Sequence, residues 1–264
     1  YEIACCDWSS DVCSSDLDVT KLALLEGVSE AYVRDRMAQA GGDEIASGKF
    51  AHPESSAALA ANAFGWFVER PSVLPGVPGM EVAGPVNRVE IEYCARFPWS
   101  QGTHPWLDAA AFTDTYLIGI ESKRFEPFRD AKTVRFSAAY DRPVWGKNME
   151  RYSALRDALR DGTASYLHLD AAQLVKHAYG LVTDARRHKL RPHLFYIFAE
   201  PMERAGRHIS ADDRARHRAE VTDFRERVAG DEVGFTFASY REWLAGASGT
   251  AVDHAAELMR TFSL

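Results

Sequence analysis

Cysteine is scarce in this sequence, which has four cysteines among 264 residues. Three of them, Cys5, Cys6 and Cys13, lie within the first 13 residues, so Cys94 is the single cysteine in the remainder. No C-x-x-C pair is present, which excludes a disulfide framework or a zinc site built from such pairs. A reducing, cytoplasmic location is the expectation that follows.

Several other signatures are missing. The sequence has no apolar run of transmembrane length, no internal repeat and no Pro-, Gly- or Ser-rich linker. A glycine-rich phosphate loop followed by Lys-Ser or Lys-Thr is absent, and so is the G-x-S-x-G pattern of a serine nucleophile. With 46% hydrophobic and 26% charged residues, the composition is that of a globular protein. We therefore expect one folded domain and no membrane partner.

One short stretch near the start lacks the pattern of folded protein. Residues 6–17 read CDWSSDVCSSDL, have neither helical nor strand periodicity, and resemble the translation of a widely used short-read sequencing adapter. We expect residues 1–18 to be foreign to the gene or disordered, and a single domain to span residues 19–264. The formal charge is −7, and the adapter-like stretch contributes three aspartates and no base. The rest is mildly acidic, unlike a general nucleic-acid coat protein.

Hydrophobic periodicity predicts a mixture of helices and strands. Helical spacing predicts helices over residues 19–40 (as one or two), 55–70, 148–160, 170–188 and 211–229, with further helix towards the end of the chain. Extended patterns predict strands over residues 88–96, 104–112, 115–125, 193–200 and 232–239. In the first strand, alternation places four residues on one face: Val89, Ile91, Tyr93 and Ala95. This mixture predicts an α/β fold in which helices flank a sheet.

Three charged residues stand out in the second and third predicted strands. A Thr-Asp-Thr turn signal separates these strands, which should form an antiparallel hairpin. If the turn centres on Asp114 and Thr115, Asp108 lies opposite Glu121, and Glu121 and Lys123 project from the same face of their strand. A register shifted by one residue would weaken this pairing. The pattern predicts two carboxylates and one ammonium around a single point.

Two carboxylates that lie so close repel each other, and each raises the pKa of the other unless a cation lies between them. A divalent ion that prefers hard oxygen ligands, Mg²⁺ or Mn²⁺, suits such a site, and Mg²⁺ keeps several of its waters. The ion can polarise a phosphoryl oxygen, while Lys123 orients the attacking water or stabilises developing negative charge. This is the chemistry of phosphodiester hydrolysis. The alternative is a salt-bridged Glu–Lys pair on a solvated strand face.

The residues around this pattern resemble a known family. Three segments carry the likeness: Trp106-Leu107-Asp108, Glu121-Ser122-Lys123 and Glu126-Pro127. They are similar to the motifs of the PD-(D/E)xK nuclease superfamily, in particular of bacterial restriction-endonuclease-like proteins, with Leu107 where the family name has proline. The likeness runs from about Ser55 to Glu200. It implies an α/β, restriction-endonuclease-like core of helix, three strands, helix and strand, with flanking helices.

The resemblance also implies a role for each residue of the motif. Asp108 and Glu121 would bind Mg²⁺ or Mn²⁺, with the Ser122 carbonyl as a candidate further ligand, and Lys123 would act on the water. Related sites often include another acidic residue on the first core helix, for which the candidates are Glu44 and Glu54.

A later stretch, DAAQLVKHAYGL at 170–181, resembles the helix that follows the motif, in which a glutamine and a lysine reach back towards the site. We therefore count Gln173 as an auxiliary catalytic candidate. Lys176 and His177 follow within one turn, and residues three and four positions apart are neighbours on a helix. The alternative is that Gln173 and Lys176 solvate an exposed stripe.

The densest basic stretch is ARRHKLR at 185–191. Contacts to nucleic-acid phosphates come mainly from lysine and arginine, so Arg186, Arg187 and Lys189 are the candidate nucleic-acid-binding residues. A basic helix end also complements the helix dipole, which is the structural alternative.

The leading interpretation is a metal-dependent DNA endonuclease with a restriction or genome-defence role. DNA is the expected partner, and a homodimer would suit an enzyme that cuts both strands of a duplex. One alternative is a catalytically inactive nuclease-fold module that binds nucleic acid or serves assembly. Another is an unrelated hydrolase with a carboxylate pair. Metal titration and the placement of Asp108 and Glu121 distinguish these possibilities.

Overall fold

The computed structural model describes residues 22–80, 84–99, 102–129 and 131–264. Its main feature is a five-stranded sheet with helices packed on both faces. The adapter-like stretch, and with it the prediction for residues 1–18, lies outside the described residues.

The strands combine antiparallel and parallel pairing. In chain order they are β1 (Arg88–Cys94), β2 (Trp106–Phe112), β3 (Tyr116–Lys123), β4 (Arg191–Phe198), β5 (Glu203–Arg204), β6 (Arg207–His208) and β7 (Gly234–Ser239). The main sheet has the order β1-β2-β3-β4-β7, and β5 with β6 forms a separate small hairpin. The pairs β1/β2 and β2/β3 are antiparallel, whereas β3/β4 and β4/β7 are parallel. The predicted class, a mixed α/β sheet flanked by helices, is confirmed.

The helices follow the predicted order closely. They are α1 (Glu30–Ala40), α2 (Ser56–Gly65), α3 (Glu126–Arg129), α4 (Glu150–Asp161), α5 (Ala171–His188), α6 (Ala211–Val228), α7 (Tyr240–Leu244) and α8 (Ala251–Phe262). The first helical prediction extended too far towards the start of the chain. Gly27 has a φ of 82°, which interrupts a helix, and the Ser29 side chain then caps α1 by accepting from the Tyr32 amide.

The hairpin of β2 and β3 positions the charged residues, and the structure confirms the hairpin, in the first of the two registers considered above. Phe112 pairs with Leu117 and Ala109 with Ile120, which centres the turn on Asp114 and Thr115. The side chain of Thr113 holds this turn by accepting from the backbone amides of Thr115 and Tyr116, at 3.1 and 2.8 Å. The same register, continued by one residue, sets Asp108 opposite Glu121.

Two hydrophobic layers cover the two faces of the sheet. Helices α1, α2, α7 and α8 contribute to one layer, and α4, α5 and α6 contribute to the other. Phe195 of β4 packs into the first layer and Tyr196 into the second, as the alternation of a strand requires. Because both faces are buried, the central strands read as apolar runs.

Strands β1 and β2 switch faces at the level of the acidic residues. Val89 and Ile91 pack into the layer that contains α2, but Tyr93 and Ala95 pack into the layer that contains α5. The prediction that all four share one face is therefore wrong beyond Ile91. The cause is a backbone irregularity at Glu92, whose φ is 47°, a value rare for residues other than glycine.

Candidate active site

The carboxyl end of β3 is where the predicted site residues meet. The Ser122 amide donates a hydrogen bond of 2.6 Å to Oδ2 of Asp108, which fixes the carboxyl group of β2 against β3. The Lys123 ammonium contacts Oε1 of Glu121. On the opposite side of the strand, the hydroxyl of Ser122 lies 2.6 Å from that of Tyr240. Strand alternation thus directs Glu121 and Lys123 together into one layer, while Ser122 anchors the strand in the other.

Burial makes these charges interact strongly. Glu121 is 1% exposed. Burial alone would raise the pKa of Glu121, but the Lys123 ammonium and the His177 ring outweigh it and lower that pKa to about 2. Burial, followed by the charge of Glu121, raises the pKa of Asp108 well above its ordinary value of 3.8. Without a further cation the site therefore holds Glu121 and Lys123 as an ion pair and leaves the charge of Asp108 poorly compensated.

Helix α5 packs against β3 and β4 and brings two polar side chains to this point. Nδ1 of His177 lies 3.2 Å from Oε2 of Glu121. Gln173, one turn earlier, lines a cavity of about 200 Å³ together with Lys123 and Tyr196. The helix start is fixed because the Asp170 side chain accepts a 2.9 Å hydrogen bond from the Gln173 amide. The structure thus brings Gln173 to the same side of the sheet as Glu121.

Glu126 borders two cavities beside the site. It lines the 200 Å³ cavity and a second one of about 370 Å³ that also includes Lys49 and Arg204. Its carboxylate accepts a 2.8 Å hydrogen bond from the Arg124 amide, which closes the turn after β3. Burial would raise the pKa of Glu126, but hydrogen bonding from Ser56 and the charge of Lys123 lower it. The two cavities therefore flank a charged carboxylate next to the site lysine.

The two acidic candidates Glu44 and Glu54 both precede α2 and are not on that helix. Glu54 forms an ion pair of 2.9 Å with Arg204. Glu44 instead lies within electrostatic range of Glu92, whose pKa is raised to about 7 by burial, by Glu44 and by Glu121. In the β1/β2 pairing, Ile91 lies opposite Ala109 and Tyr93 lies opposite Leu107. Glu92 therefore lies opposite Asp108.

Sequence reasoning missed Glu92, because strand alternation assigned it to a solvated face. The signal that could have identified it is the register of β1 against β2. Residues 95–105 separate the two strands, and a connection of that length does not fix a register.

The donor set is suitable for a hard cation. No group of three or more His, Cys, Asp or Glu side chains is placed to hold a metal ion within residues 22–80, 84–99, 102–129 and 131–264. Asp108 and Glu121 nevertheless supply two neighbouring carboxylates, and the raised pKa of Asp108 reflects negative charge that a cation would offset. Mg²⁺ is bound by one or two carboxylates and retains waters in its other positions. The residues therefore fit Mg²⁺ better than an ion that needs a closed protein cage.

The three basic candidates at the end of α5 lie away from this site. Arg186 lies nine positions after His177 on the helix, a distance of about 14 Å along the axis. Arg186 bonds to Glu232 and, at 2.8 Å, to the carbonyl of Trp145. The remaining two differ in their surroundings: Arg187 bonds to the carbonyls of Arg96 and Phe97, and Lys189 is exposed at the helix end. Their contact with nucleic acid stays a prediction.

Among the helices that the structure describes, none combines the length and apolarity needed to cross a bilayer.

Comparison with known proteins adds one finding. No curated protein and no solved structure matches the chain. A family model described as "Restriction Endonuclease associating with ARP" matches residues 15–229, which is most of the chain and includes all the site residues discussed above. The chain therefore belongs to this restriction-endonuclease-like family.

Proposed function

We propose that this chain is a Mg²⁺- or Mn²⁺-dependent DNA endonuclease of the PD-(D/E)xK type, with a role in restriction or genome defence. The observation that carries the proposal is the meeting of Asp108, Glu121 and Lys123 at the end of β3, where Glu121 is buried and the other two side chains are half-buried. Membership of a restriction-endonuclease-like family supports it independently. The motif Glu121-Ser122-Lys123 has the spacing that this chemistry requires, because alternate strand residues share a face.

In this proposal Asp108 and Glu121 hold the cation, which would polarise the scissile phosphate and lower the pKa of a bound water. The Lys123 ammonium remains charged because Glu121 and Asp108 raise its pKa, against the opposing effect of burial. It is therefore available to orient the attacking water and to offset negative charge that develops on the phosphate. Gln173, on the wall of the adjoining cavity, is positioned to contact the substrate or the water.

The cavities on either side of Glu126 are the proposed path of the DNA strand. Their walls combine the site lysine and four further basic side chains, Lys49, Arg129, Lys132 and Arg204, with the carboxylates of Glu44, Glu54, Glu126 and Asp170. In this proposal the basic side chains contact the phosphate backbone. The family description names an association with ARP, and we extend that association to this chain. We further propose that the chain forms a homodimer that cuts both strands of the DNA, and that it acts in the bacterial cytoplasm.

Cleavage of plasmid, linear duplex and single-stranded DNA in Mg²⁺ or Mn²⁺, with EDTA as the metal-free arm, tests the proposal. We expect metal-dependent cleavage by the wild-type chain. Asp108→Asn, Glu121→Gln and Lys123→Met should each lower the rate by about 100-fold or more. Glu30→Gln is the matched control, because Glu30 is an α1 residue in an exposed ion pair with Arg34.

A folded wild-type chain that cleaves none of these DNAs would contradict the enzymatic proposal. If the same chain bound DNA equally well with metal and with EDTA, it would instead be a binding or assembly module. Equal loss of activity in Glu30→Gln would show that the substitutions act through the fold rather than through the site.

A further inference from the structure

His177 of α5 is a core histidine whose ring faces a buried carboxylate. It is 3% exposed, and its Nδ1 lies 3.2 Å from Oε2 of Glu121. Nδ1 makes no aligned hydrogen bond to any residue in the described part of the chain. The contact with Glu121 is therefore close but poorly aligned, a feature common in catalytic sites before metal or substrate binds.

Two other buried histidines show what a purely structural role looks like in this protein. Nε2 of His193 lies 2.8 Å from the hydroxyl of Thr236, and Nε2 of His217 lies 3.0 Å from the hydroxyl of Tyr196. Both partners are neutral groups that satisfy one ring nitrogen in the core, although Nδ1 of His217, like Nδ1 of His177, has no hydrogen-bond partner in the described chain. His177 instead faces a carboxylate that is itself almost completely buried.

The two oxygens of Glu121 are contacted from two different elements. Lys123, on the same strand, contacts Oε1, whereas His177 reaches Oε2 from α5. A carboxylate held at one oxygen alone can rotate about its last side-chain torsion, which is broad and weakly restrained. A donor at the second oxygen removes that freedom and sets the direction of the lone pairs. Hydrogen bonds of this kind to ligating carboxylates tune metal affinity.

We infer that His177 is a positioning residue for the site, whose Nδ1–H donates to Oε2 of Glu121 and orients that carboxylate for the cation. The inference rests on the proposed function, since it assumes that Glu121 is a metal ligand. It assigns the proton to Nδ1, the tautomer that a carboxylate partner selects. In the protein with a bound cation, His177 would make this hydrogen bond in aligned form and would hold the Glu121 carboxylate in one orientation.

The test compares variants that remove or retain the donor. His177→Leu removes it, whereas His177→Asn keeps an N–H donor at the same number of bonds from Cβ. Mn²⁺ binding to the full chain is measured directly by calorimetry, and DNA cleavage is measured against Mn²⁺ concentration. We expect His177→Leu to weaken Mn²⁺ binding by about 10-fold or more and to recover most of its cleavage rate at saturating Mn²⁺. His177→Asn should retain most of the wild-type Mn²⁺ affinity.

His254→Leu is the matched control. His254 also lies on a helix, α8, is 7% exposed, and has a ring nitrogen without a hydrogen-bond partner in the described chain, but it stacks on Trp66 at 4.7 Å. Its replacement should leave Mn²⁺ affinity unchanged. If thermal unfolding shows that His177→Leu does not fold, His177→Ala takes its place, because alanine is the strongest helix former.

The outcomes separate this inference from the proposed function. Wild-type Mn²⁺ affinity in His177→Leu, or an equal loss in His177→Asn, would overturn the positioning role while leaving the nuclease proposal intact. A wild-type chain that binds no Mn²⁺ and cleaves no DNA would overturn both. A loss of affinity in His254→Leu as large as that in His177→Leu would assign the effect to core packing and would also overturn the inference.

Discussion

Replacing Asp108 by asparagine should stabilise the metal-free protein while it abolishes the proposed activity. Burial and the charge of Glu121 raise the folded-state pKa of Asp108 above its ordinary value of 3.8, against a smaller opposing effect of Lys123. Between the unfolded and folded pKa values, the folded chain binds more protons than the unfolded chain. Stability is therefore lost as pH rises through that window, and the charged carboxylate destabilises the fold at neutral pH.

The size of the effect follows from what asparagine keeps and removes. Its amide oxygen can still accept the 2.6 Å hydrogen bond from the Ser122 amide, so the change removes the charge with little change in shape. Single replacements that stabilise a protein commonly raise its free energy of unfolding by about 0.5–2 kcal/mol. We expect a gain of about 1–2 kcal/mol, which raises the Tm of a chain of this length by about 3–6 °C.

Thermal unfolding from pH 4 to 9, in EDTA and in Mg²⁺, is the assay for this prediction. The advantage of Asp108→Asn should be absent near the ordinary pKa and should grow as pH rises. Mg²⁺ at ten times its dissociation constant should raise the free energy of unfolding of the wild type by about 1.4 kcal/mol. The same Mg²⁺ concentration should leave the free energy of unfolding of the variant unchanged. Asp114→Asn, at the exposed turn of the same hairpin, is the control and should show neither effect. Destabilisation by Asp108→Asn in EDTA at pH 8 would refute the reasoning.

Three further predictions concern other parts of the molecule. Burial and two neighbouring carboxylates raise the pKa of Glu92 to about 7. The Tm of Glu92→Gln should therefore rise relative to that of the wild type as pH increases from 4.5 to 7. A difference in Tm that does not change with pH would contradict this prediction. A Cβ at Gly119 would lie 2.7 Å from side-chain carbons of Leu107 and of Leu181. Gly119→Ala should therefore lower the free energy of unfolding, measured in urea, by about 1–3 kcal/mol. If the predicted basic surface contacts the DNA backbone, Lys189→Ala should lower the slope of log affinity against log salt by about 1, and an unchanged slope would argue against that surface.

The hairpin is the part of the site that could be predicted from local sequence. The Thr-Asp-Thr segment signals a turn, and the apolar runs on either side define two strands, so the register follows from where the turn is centred. That register alone sets Asp108 opposite Glu121. Local patterning therefore predicted the hairpin, and it predicted the juxtaposition of the two carboxylates for a turn centred on Asp114 and Thr115, while a register shifted by one residue stayed open.

The rest of the site depends on contacts between elements that are distant in sequence. His177 meets Glu121 only because α5 packs across β3 and β4, and helical periodicity does not specify which strand lies beneath a given turn. Glu92 enters the site through the irregularity that switches the faces of β1, and strict alternation assigned it elsewhere. Charge makes the basic end of α5 a candidate nucleic-acid-binding stretch, but charge alone does not show that the length of the helix separates this stretch from Glu121.

The central claim is that Asp108 and Glu121 share one hard cation. A crystal structure of the Mn²⁺-soaked protein, with anomalous scattering recorded at the manganese edge, tests it most directly. The account predicts one anomalous peak about 2.0–2.2 Å from an oxygen of each carboxylate, with the Lys123 ammonium beside it. An anomalous map with no peak between these two residues, in a protein that cleaves DNA only when Mn²⁺ is present, would contradict the account.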